Sequence, residues 1–536
     1  MAEALPAPVS ATTDVERVLA FATVRDAVAR GAFLSAVREL GRDNGRFTEE
    51  RLHDLIRVED HFQALLLHGE LDFLHQPVAS DAERDFALNI QRICLESANG
   101  FQRFLRNRAS WARERGALDV MYQVTGLAMN AIHCCVKWGY FLNESSNAMP
   151  WKQLHALYAL AEADGYAKAP FVLHASQPDF APTVEALYLR ALLLDVLNSG
   201  NLTMAQVEIA DGWLASWCRD YALEREGVPA RHYFFVDLAS ESGLRPFARS
   251  KGAANARFLN AEAIPAQVEA MQASLRQGRL QAACGVGAAF PIEEHAALLD
   301  AVEKLRHSIV TGGTSRVEER TPFPDREVDV AAGIERVMRK VQEAPGQARG
   351  RSAVAGMQML DASDPGLSAL VADPLIASAT VEAPAADPDV ERWRVQDLSV
   401  RGYGLLVDRA AAELALLNGV VALRNQETGG WIVGTIVRKH PNRGRGEFVI
   451  GVDVLSYRPI PIELTVDGAQ PITALFLPGR DAGGKDDSLL MPLGDFRSGS
   501  RFAIRVRGAR YRVRLNRIIR KGADWISARY EIESKA

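Results

Sequence analysis

The chain has 536 residues, of which 48% are hydrophobic, 24% charged and 7% aromatic, and its formal net charge is -5. The composition excludes a collagen-like, fibrous or wholly disordered protein, and the length predicts about three units. The negative charge argues against wrapping nucleic acid, so we expect no DNA partner. Five scattered cysteines indicate reduced thiols in a cytoplasmic protein. The longest uncharged stretch, residues 120–136, is too short and too polar for a membrane span.

Residues 1–310 have mainly helical periodicity. Apolar residues recur at three- and four-residue intervals, for example in EERLHDLIRVEDHFQALLLHGELDFL and DAERDFALNIQRICLESANGFQRFL. Residues 231–264 differ, because HYFFVDLASESG and ARFLNAEAI combine apolar and small residues in a pattern typical of strands. We therefore expect a mainly helical region that contains some strand, and the sequence gives it no defined role.

Residues 311–343 form a polar boundary segment that begins with GGTSRVEERTPFPDR. The following sequence, REVDVAAGIERVMRKVQE, predicts a short strand that leads into a helix. Residues 344–390 are rich in Ala, Gly, Pro and Asp and have weak periodicity, which predicts a flexible linker or insertion.

The sequence from residue 391 onward predicts β structure. Short segments rich in Val, Ile and aromatic residues are separated by turn sequences such as NQETGG and HPNRGRGE. The close spacing of these strands predicts an antiparallel sheet. We expect the sheet to close into a small barrel over residues 391–480, which leaves few exposed edges.

The sequence of residues 490–536 predicts a basic β-hairpin that extends the barrel. From Met491 onward there are twelve Lys or Arg and four Asp or Glu. This basic face could attract phosphates or an acidic partner. Its strict alternation of Arg with apolar residues favours instead an exposed sheet face that is charged against edge aggregation.

The sequence Asp397-Leu-Ser399-Val-Arg-Gly402 lies between two predicted strands. An Asp carboxylate accepts two parallel hydrogen bonds, which suits the N1 and N2 donors of guanine, and a Ser hydroxyl can donate to a phosphate and accept another bond. A glycine permits a tight turn or a close approach of the backbone to a ligand. The same residues would also form a side-chain-capped turn between two strands.

These residues resemble the DxSxxG motif of the PilZ domain family, whose small β-barrels bind cyclic di-GMP. The later GWIVGTIVRK, FVIGVDVLS and RYRVRLNRIIRKGADW are similar to strands and tails of PilZ-containing proteins, so the resemblance covers residues 311–536. It implies a multidomain protein with a mainly α-helical N-terminal region followed by an antiparallel PilZ-like β-barrel. In that barrel Asp397, Ser399 and Gly402 would bind cyclic di-GMP.

The PilZ family also has an RxxxR pair ahead of its first barrel strand, and the resemblance implies that Arg316 and Arg320 fill this role. Two guanidinium groups can stack on guanine faces and fork onto phosphates. The predicted insertion would account for the long separation from the Asp motif, since loop closure grows costlier only slowly with length. The alternative is a solvated charge run in a linker. Arg497 and Arg501 have the same spacing but follow the barrel, which makes them weaker candidates.

Two further groups of residues favour structural roles. His61, His68 and His75 recur every seven residues along a predicted helix, whereas metal ligands on one helix are more often three or four residues apart. His133-Cys134-Cys135 has no second ligand group and predicts helix core. We expect no metal and no cofactor. Glycine-rich phosphate loops, GxSxG and HExxH are absent, so the chain is not expected to be an enzyme.

The resemblance implies a cytoplasmic receptor that relays cyclic di-GMP levels to a protein partner, in motility, pilus or biofilm control. Ligand would fold the Arg316 and Arg320 segment onto Asp397 and Ser399 and so bias a two-state equilibrium. The alternative is a degenerate PilZ-like barrel in a ligand-free interaction scaffold.

Overall fold

The computed structural model divides the chain into two compact units, residues 1–315 and 316–536. The residues that it describes are 11–42, 47–74, 81–111, 117–142, 148–197, 202–229, 231–247, 255–260, 262–279, 295, 298–299, 302, 321–344, 387–399, 402–424, 430–442, 446–465, 471–478, 487–495, 500–506, 509–522 and 524–535.

The first unit is built mainly from helices. Its helices are α1 (Ala11–Leu19), α2 (Ala27–Gly41), α3 (Glu49–Leu74), α4 (Asp81–Arg106), α5 (Arg108–Trp111), α6 (Ala117–Phe141), α7 (Ala148–Ala163), α8 (Val184–Leu197), α9 (Met204–Trp217) and α10 (Ile264–Arg276). Local sequence sets several of their starts. Asp26 accepts a hydrogen bond from the Val28 amide at 2.9 Å ahead of α2, and Thr203 forms a capping box with Gln206 ahead of α9.

The core of the first unit lies between α4, α6 and their neighbours. Trp138 of α6 is fully buried, and its ring centroid lies 5.2 Å from that of Phe73, 5.7 Å from that of Phe86 and 5.2 Å from that of Phe141. Such edge and tilted contacts add to the stabilisation from burial of the rings themselves.

A four-stranded antiparallel sheet completes the described part of the first unit. Its strands are β1 (Ala222–Glu224), β2 (His232–Asp237), β3 (Arg245–Pro246) and β4 (Ala256–Asn260), in the order β1-β4-β2-β3. Strands β2 and β4 lie in the two segments that the sequence predicts as partly strand, so that prediction is confirmed.

The second unit contains two closed antiparallel barrels. The first barrel has β5 (Thr321–Ala332), β6 (Glu391–Ser399), β7 (Gly402–Val407), β8 (Val420–Arg424), β9 (Trp431–Asn442) and β10 (Glu447–Ser456), in the order β10-β7-β6-β5-β8-β9. The second barrel has β11 (Ile460–Thr465), β12 (Ile472–Leu477), β13 (Ser488–Pro492), β14 (Arg501–Val506), β15 (Ala509–Lys521) and β16 (Trp525–Lys535), in the order β11-β12-β13-β16-β15-β14. The predicted fold class, a mainly helical region followed by an antiparallel barrel, is confirmed.

The division of the strands differs from the sequence prediction. A single barrel over residues 391–480 with a separate hairpin extension over 490–536 does not describe the structure. Strand β5 belongs to the first barrel, and β11 and β12 close the second barrel with the tail. The reason is burial, because the inward residues of the tail need apolar partners. They pack against Leu464 and Phe476 from β11 and β12.

Helix α11 (Ile334–Glu343) lies between the two barrels. Its apolar residues Ile334, Val337, Met338 and Val341 recur at three- and four-residue intervals and form one core cluster with residues from both barrels, among them Val420, Leu475 and Trp525. The Trp525 indole N–H also donates to the Asn418 carbonyl oxygen at 2.8 Å. These contacts join the two barrels.

Helix α11 also fixes one side of the predicted insertion. Lys340 forms an ion pair with Asp387 at 2.7 Å, and Arg339 forms one with Asp389 at 2.8 Å. Most of the predicted insertion, residues 345–386, lies outside the described residues. Its two flanks are therefore held together by paired charges.

Candidate ligand-binding face of the first barrel

A β-bulge in β6 places Asp397 and Ser399 on the outer face of the first barrel. Trp393 and Val395 point into the barrel core, as strand alternation requires. The pairing of β6 with β7 then shifts register between Val395 and Asp397. After this shift Leu398 contacts the core, so its two neighbours face outward. The bulge therefore aims both motif side chains at the barrel surface.

Gly402 is required by the close approach of β10. Ser399 pairs with Gly402 across the β6–β7 hairpin, and the Ser399 hydroxyl donates to the Gly402 carbonyl oxygen at 3.4 Å. A Cβ atom on Gly402 would lie 2.0 Å from the carbonyl oxygen of Val452. The structure therefore gives this glycine a packing role, and the weak hydroxyl contact matches the capped turn that the sequence also permits.

Two glycines separate Asp397 from an arginine on the same face. The strand register aligns Asp397 with Gly404, Gly404 with Gly451, and Gly451 with Arg438. A Cβ atom on Gly451 would lie 3.1 Å from Arg438 Cβ and 3.5 Å from its Nε, so the arginine side chain lies over this glycine. We call the row formed by Gly404 and Gly451 the glycine floor.

The second barrel contributes a cation to the same face. Asp453 pairs with Gly402, which in turn pairs with Ser399, so all three lie in one row across the sheet. The carboxylate of Asp453 forms an ion pair with Arg520 of β15 at 2.8 Å. This face therefore carries two carboxylates, a hydroxyl and two arginines, of which Arg438, Asp453 and Arg520 were missed by sequence reasoning.

Arg316 and Arg320 lie outside the described residues, but the strand that follows them reaches the motif. Strand β5 begins at Thr321, directly after Arg320 in the sequence, and Thr321 pairs with Leu398. The chain thus returns antiparallel to β5 after the predicted insertion. The start of β5 therefore lies beside the Asp motif, although many residues separate the two in the sequence.

The alternative Arg pair lies away from the first barrel as far as the structure describes it. Arg497 lies outside the described residues. Arg501 begins β14 of the second barrel and forms an ion pair with Glu533 at 2.9 Å. Arg514, which pairs with Arg501 across the ladder, contacts Glu531 at 3.1 Å. The basic tail is thus partly neutralised by acidic residues of its own barrel.

Of His61, His68 and His75, only the side chain of His61 lies within the described residues. A ring nitrogen of His61 lies 2.9 Å from the Phe21 carbonyl oxygen. The side chain of His68 and all of His75 lie outside the described residues. Within the described ranges no group of three or more His, Cys, Asp or Glu residues could hold a metal ion.

His133 belongs to a buried charge network in the first unit. Its ring lies 2.7 Å from Asp211, and that carboxylate also binds Arg190 through two hydrogen bonds and Lys137 at 3.2 Å. Burial opposes ionisation of Asp211, but attraction from the neighbouring cations outweighs it and holds the pKa of Asp211 well below its usual range. The network joins α6 to α8 and α9. Cys134 and Cys135 are buried in α6, as predicted for helix core.

Comparison with known proteins gives one family match. Residues 22–229 match the family model of the cyclic-di-GMP receptor FimW, N-terminal domain. The match spans α2 through β1, in the region to which the sequence assigns no role, and not the C-terminal region that carries the PilZ resemblance. The matched family is thus one of receptors. No curated protein matches the chain, and no solved structure does. Among the described residues no helix has the length and apolarity to cross a bilayer.

Proposed function

We propose that this protein is a cyclic di-GMP receptor and that the outer face of its first barrel holds the ligand. Asp397 and Ser399 of β6 would contact the ligand, with Gly402 shaping the hairpin between them and β10. Arg316 and Arg320 would complete the site from the segment directly ahead of β5. The pairing of Thr321 with Leu398 carries this proposal, because the strand that directly follows this segment in the sequence begins beside the motif.

Two independent observations support cyclic di-GMP as the ligand. The N-terminal match is to a family described as a cyclic-di-GMP receptor. The C-terminal motif resembles that of PilZ barrels, and its Asp and Ser face away from the barrel core. The Asp397 carboxylate can accept from two guanine donors in parallel, and paired guanidinium groups can stack on the bases and bind the phosphates.

In this proposal the protein is a binding protein of the cytoplasm that acts through a protein partner. Ligand would draw the Arg316 and Arg320 segment onto the barrel, and the resulting population shift would be read by the partner. Control of motility, pili or biofilm is the proposed output. The buried cysteines of the first unit fit a reducing compartment.

The test is a calorimetric titration of the full chain with cyclic di-GMP and with cyclic di-AMP. We expect cyclic di-GMP to bind much more tightly, and Asp397→Ala to weaken it by about 1.5–3 kcal/mol, the value for a hydrogen bond to a charged group. Arg392→Gln, at the other end of β6 and 3.7 Å from Asp329, is the matched control. Equal binding of the two dinucleotides would refute guanine recognition, and no binding near 100 μM would favour the ligand-free scaffold.

A further inference from the structure

We propose that Arg438 of β9 is a third ligand-binding arginine and that it grips a phosphate group across the glycine floor. This inference rests on the proposed function, since it assigns a further residue to the same site. Arg438 is separate from the Arg316 and Arg320 pair in sequence, because it lies on β9 whereas the pair precedes β5.

The position of Arg438 follows from the register of four strands. Asp397 and Arg438 stand at the two ends of one row. Three strand spacings of about 4.8 Å each separate their backbones. The arginine side chain packs against Gly451, with its Nε 3.5 Å from the position that a Cβ atom of this glycine would take. The guanidinium group and the carboxylate therefore lie on the same face with Gly404 between them.

The two glycines of the glycine floor contribute no side chains to this face. Strands normally carry β-branched or aromatic residues, and glycine in a strand often marks a place where another backbone or a ligand approaches closely. Gly404 and Gly451 are adjacent in one row, so neither contributes a side chain between the two charged ends.

The chemistry at the two ends differs in sign, as a guanine nucleotide requires. The Asp397 end offers acceptors for the guanine donors, whereas the Arg438 end offers a fork of N–H donors that matches phosphate oxygens. A nearby cation is also needed electrostatically, because Asp397 and Asp453 both lie on this face and both oppose a phosphate.

The experiment is a titration of the full chain and of Arg438→Gln with cyclic di-GMP at several salt concentrations. We expect Arg438→Gln to raise the Kd about 10-fold or more, the loss that corresponds to one hydrogen bond between charged groups. Its affinity should also depend less steeply on salt than that of the parent, because one phosphate contact is gone. A purely structural role for Arg438 would not change this slope.

Two further variants keep the test decisive. Arg438→Lys retains the charge without the planar fork, so it should keep the parent's salt dependence and recover only part of the affinity. Arg392→Gln removes an arginine from a different strand, β6, and this variant should bind cyclic di-GMP like the parent. If Arg438→Gln binds as tightly as Arg392→Gln, the Arg438 assignment is wrong while the proposed function stands. If the parent itself does not bind cyclic di-GMP, the proposed function fails and this inference fails with it.

Discussion

The ion pair between Asp453 and Arg520 should tune ligand affinity from the second barrel. Asp453 stands in the same row as Ser399, two strand spacings away, which is about 10 Å. Arg520 neutralises this carboxylate at 2.8 Å. Arg520→Gln removes the positive charge of this ion pair from a face that we expect to hold phosphates. It should therefore weaken cyclic di-GMP binding.

The size of the effect follows from Coulomb's law. A phosphate bound at Ser399 would lie about 10 Å from the Asp453 carboxylate. Two unit negative charges at this distance repel by about 0.4 kcal/mol in water and by about 1.7 kcal/mol at an effective dielectric constant of 20. The Kd should therefore rise about 2- to 15-fold, with the larger value at low salt.

The assay is a double-mutant cycle measured by calorimetry at low and high salt. Asp453→Asn in the Arg520→Gln background removes the repelling charge and should restore affinity to within about 2-fold of the parent. If the double variant binds as weakly as Arg520→Gln alone, the effect does not arise from the charge on Asp453, and the electrostatic reasoning is refuted.

Three further outcomes follow from the described contacts. Gly402→Ala should destabilise the second unit by about 1–3 kcal/mol or more in chemical denaturation, because its Cβ would lie 2.0 Å from the Val452 carbonyl oxygen; a parent-like midpoint would contradict the packing role. Burial lowers the pKa of Lys439 from 10.5 to about 8, so between these values the unfolded chain binds a proton that the native protein has released, and the unfolding free energy rises with pH. The stability of the parent relative to Lys439→Met should therefore rise by about 3 kcal/mol as pH rises through this window, and a constant difference would show that Lys439 titrates normally. Limited proteolysis should cut first within residues 344–388, which carry too little apolar material to offset chain entropy; initial cleavage inside α2–α9 would count against the insertion.

Local patterns in the sequence predicted much of the fold. Helical periodicity identified α3 and α4, and β-branched alternation identified the strands after residue 391. The division into two barrels could not be predicted in the same way. Barrel closure depends on which distant strands pair, such as β5 with β8 and β13 with β16, and local alternation does not encode that choice.

The candidate site was predicted in part. Asp397, Ser399 and Gly402 were found because they form a contiguous motif whose chemistry suits guanine. Strict alternation along β6 would have pointed Asp397 inward with Trp393 and Val395, and only the bulge turns it outward.

Arg438 and Arg520 carried no sequence signal of a site. They reach the outer face through strand register and through the packing of one barrel against the other. A hint was present in the outward Gly451 and Asp453 of FVIGVDV, but its meaning depends on the strands beside it.

The central claim is that the Arg316 and Arg320 segment and the Asp397 motif form one cyclic di-GMP site. The most direct measurement is hydrogen exchange over residues 311–330 with and without cyclic di-GMP, in the parent and in the Arg316→Ala/Arg320→Ala variant. We predict that ligand slows exchange in the parent, because the guanidinium groups gain phosphates and guanine faces as partners. The double variant should lose this protection and bind weakly while its barrels stay folded. Tight binding by the double variant, or unchanged exchange in a parent saturated with ligand, would contradict the claim.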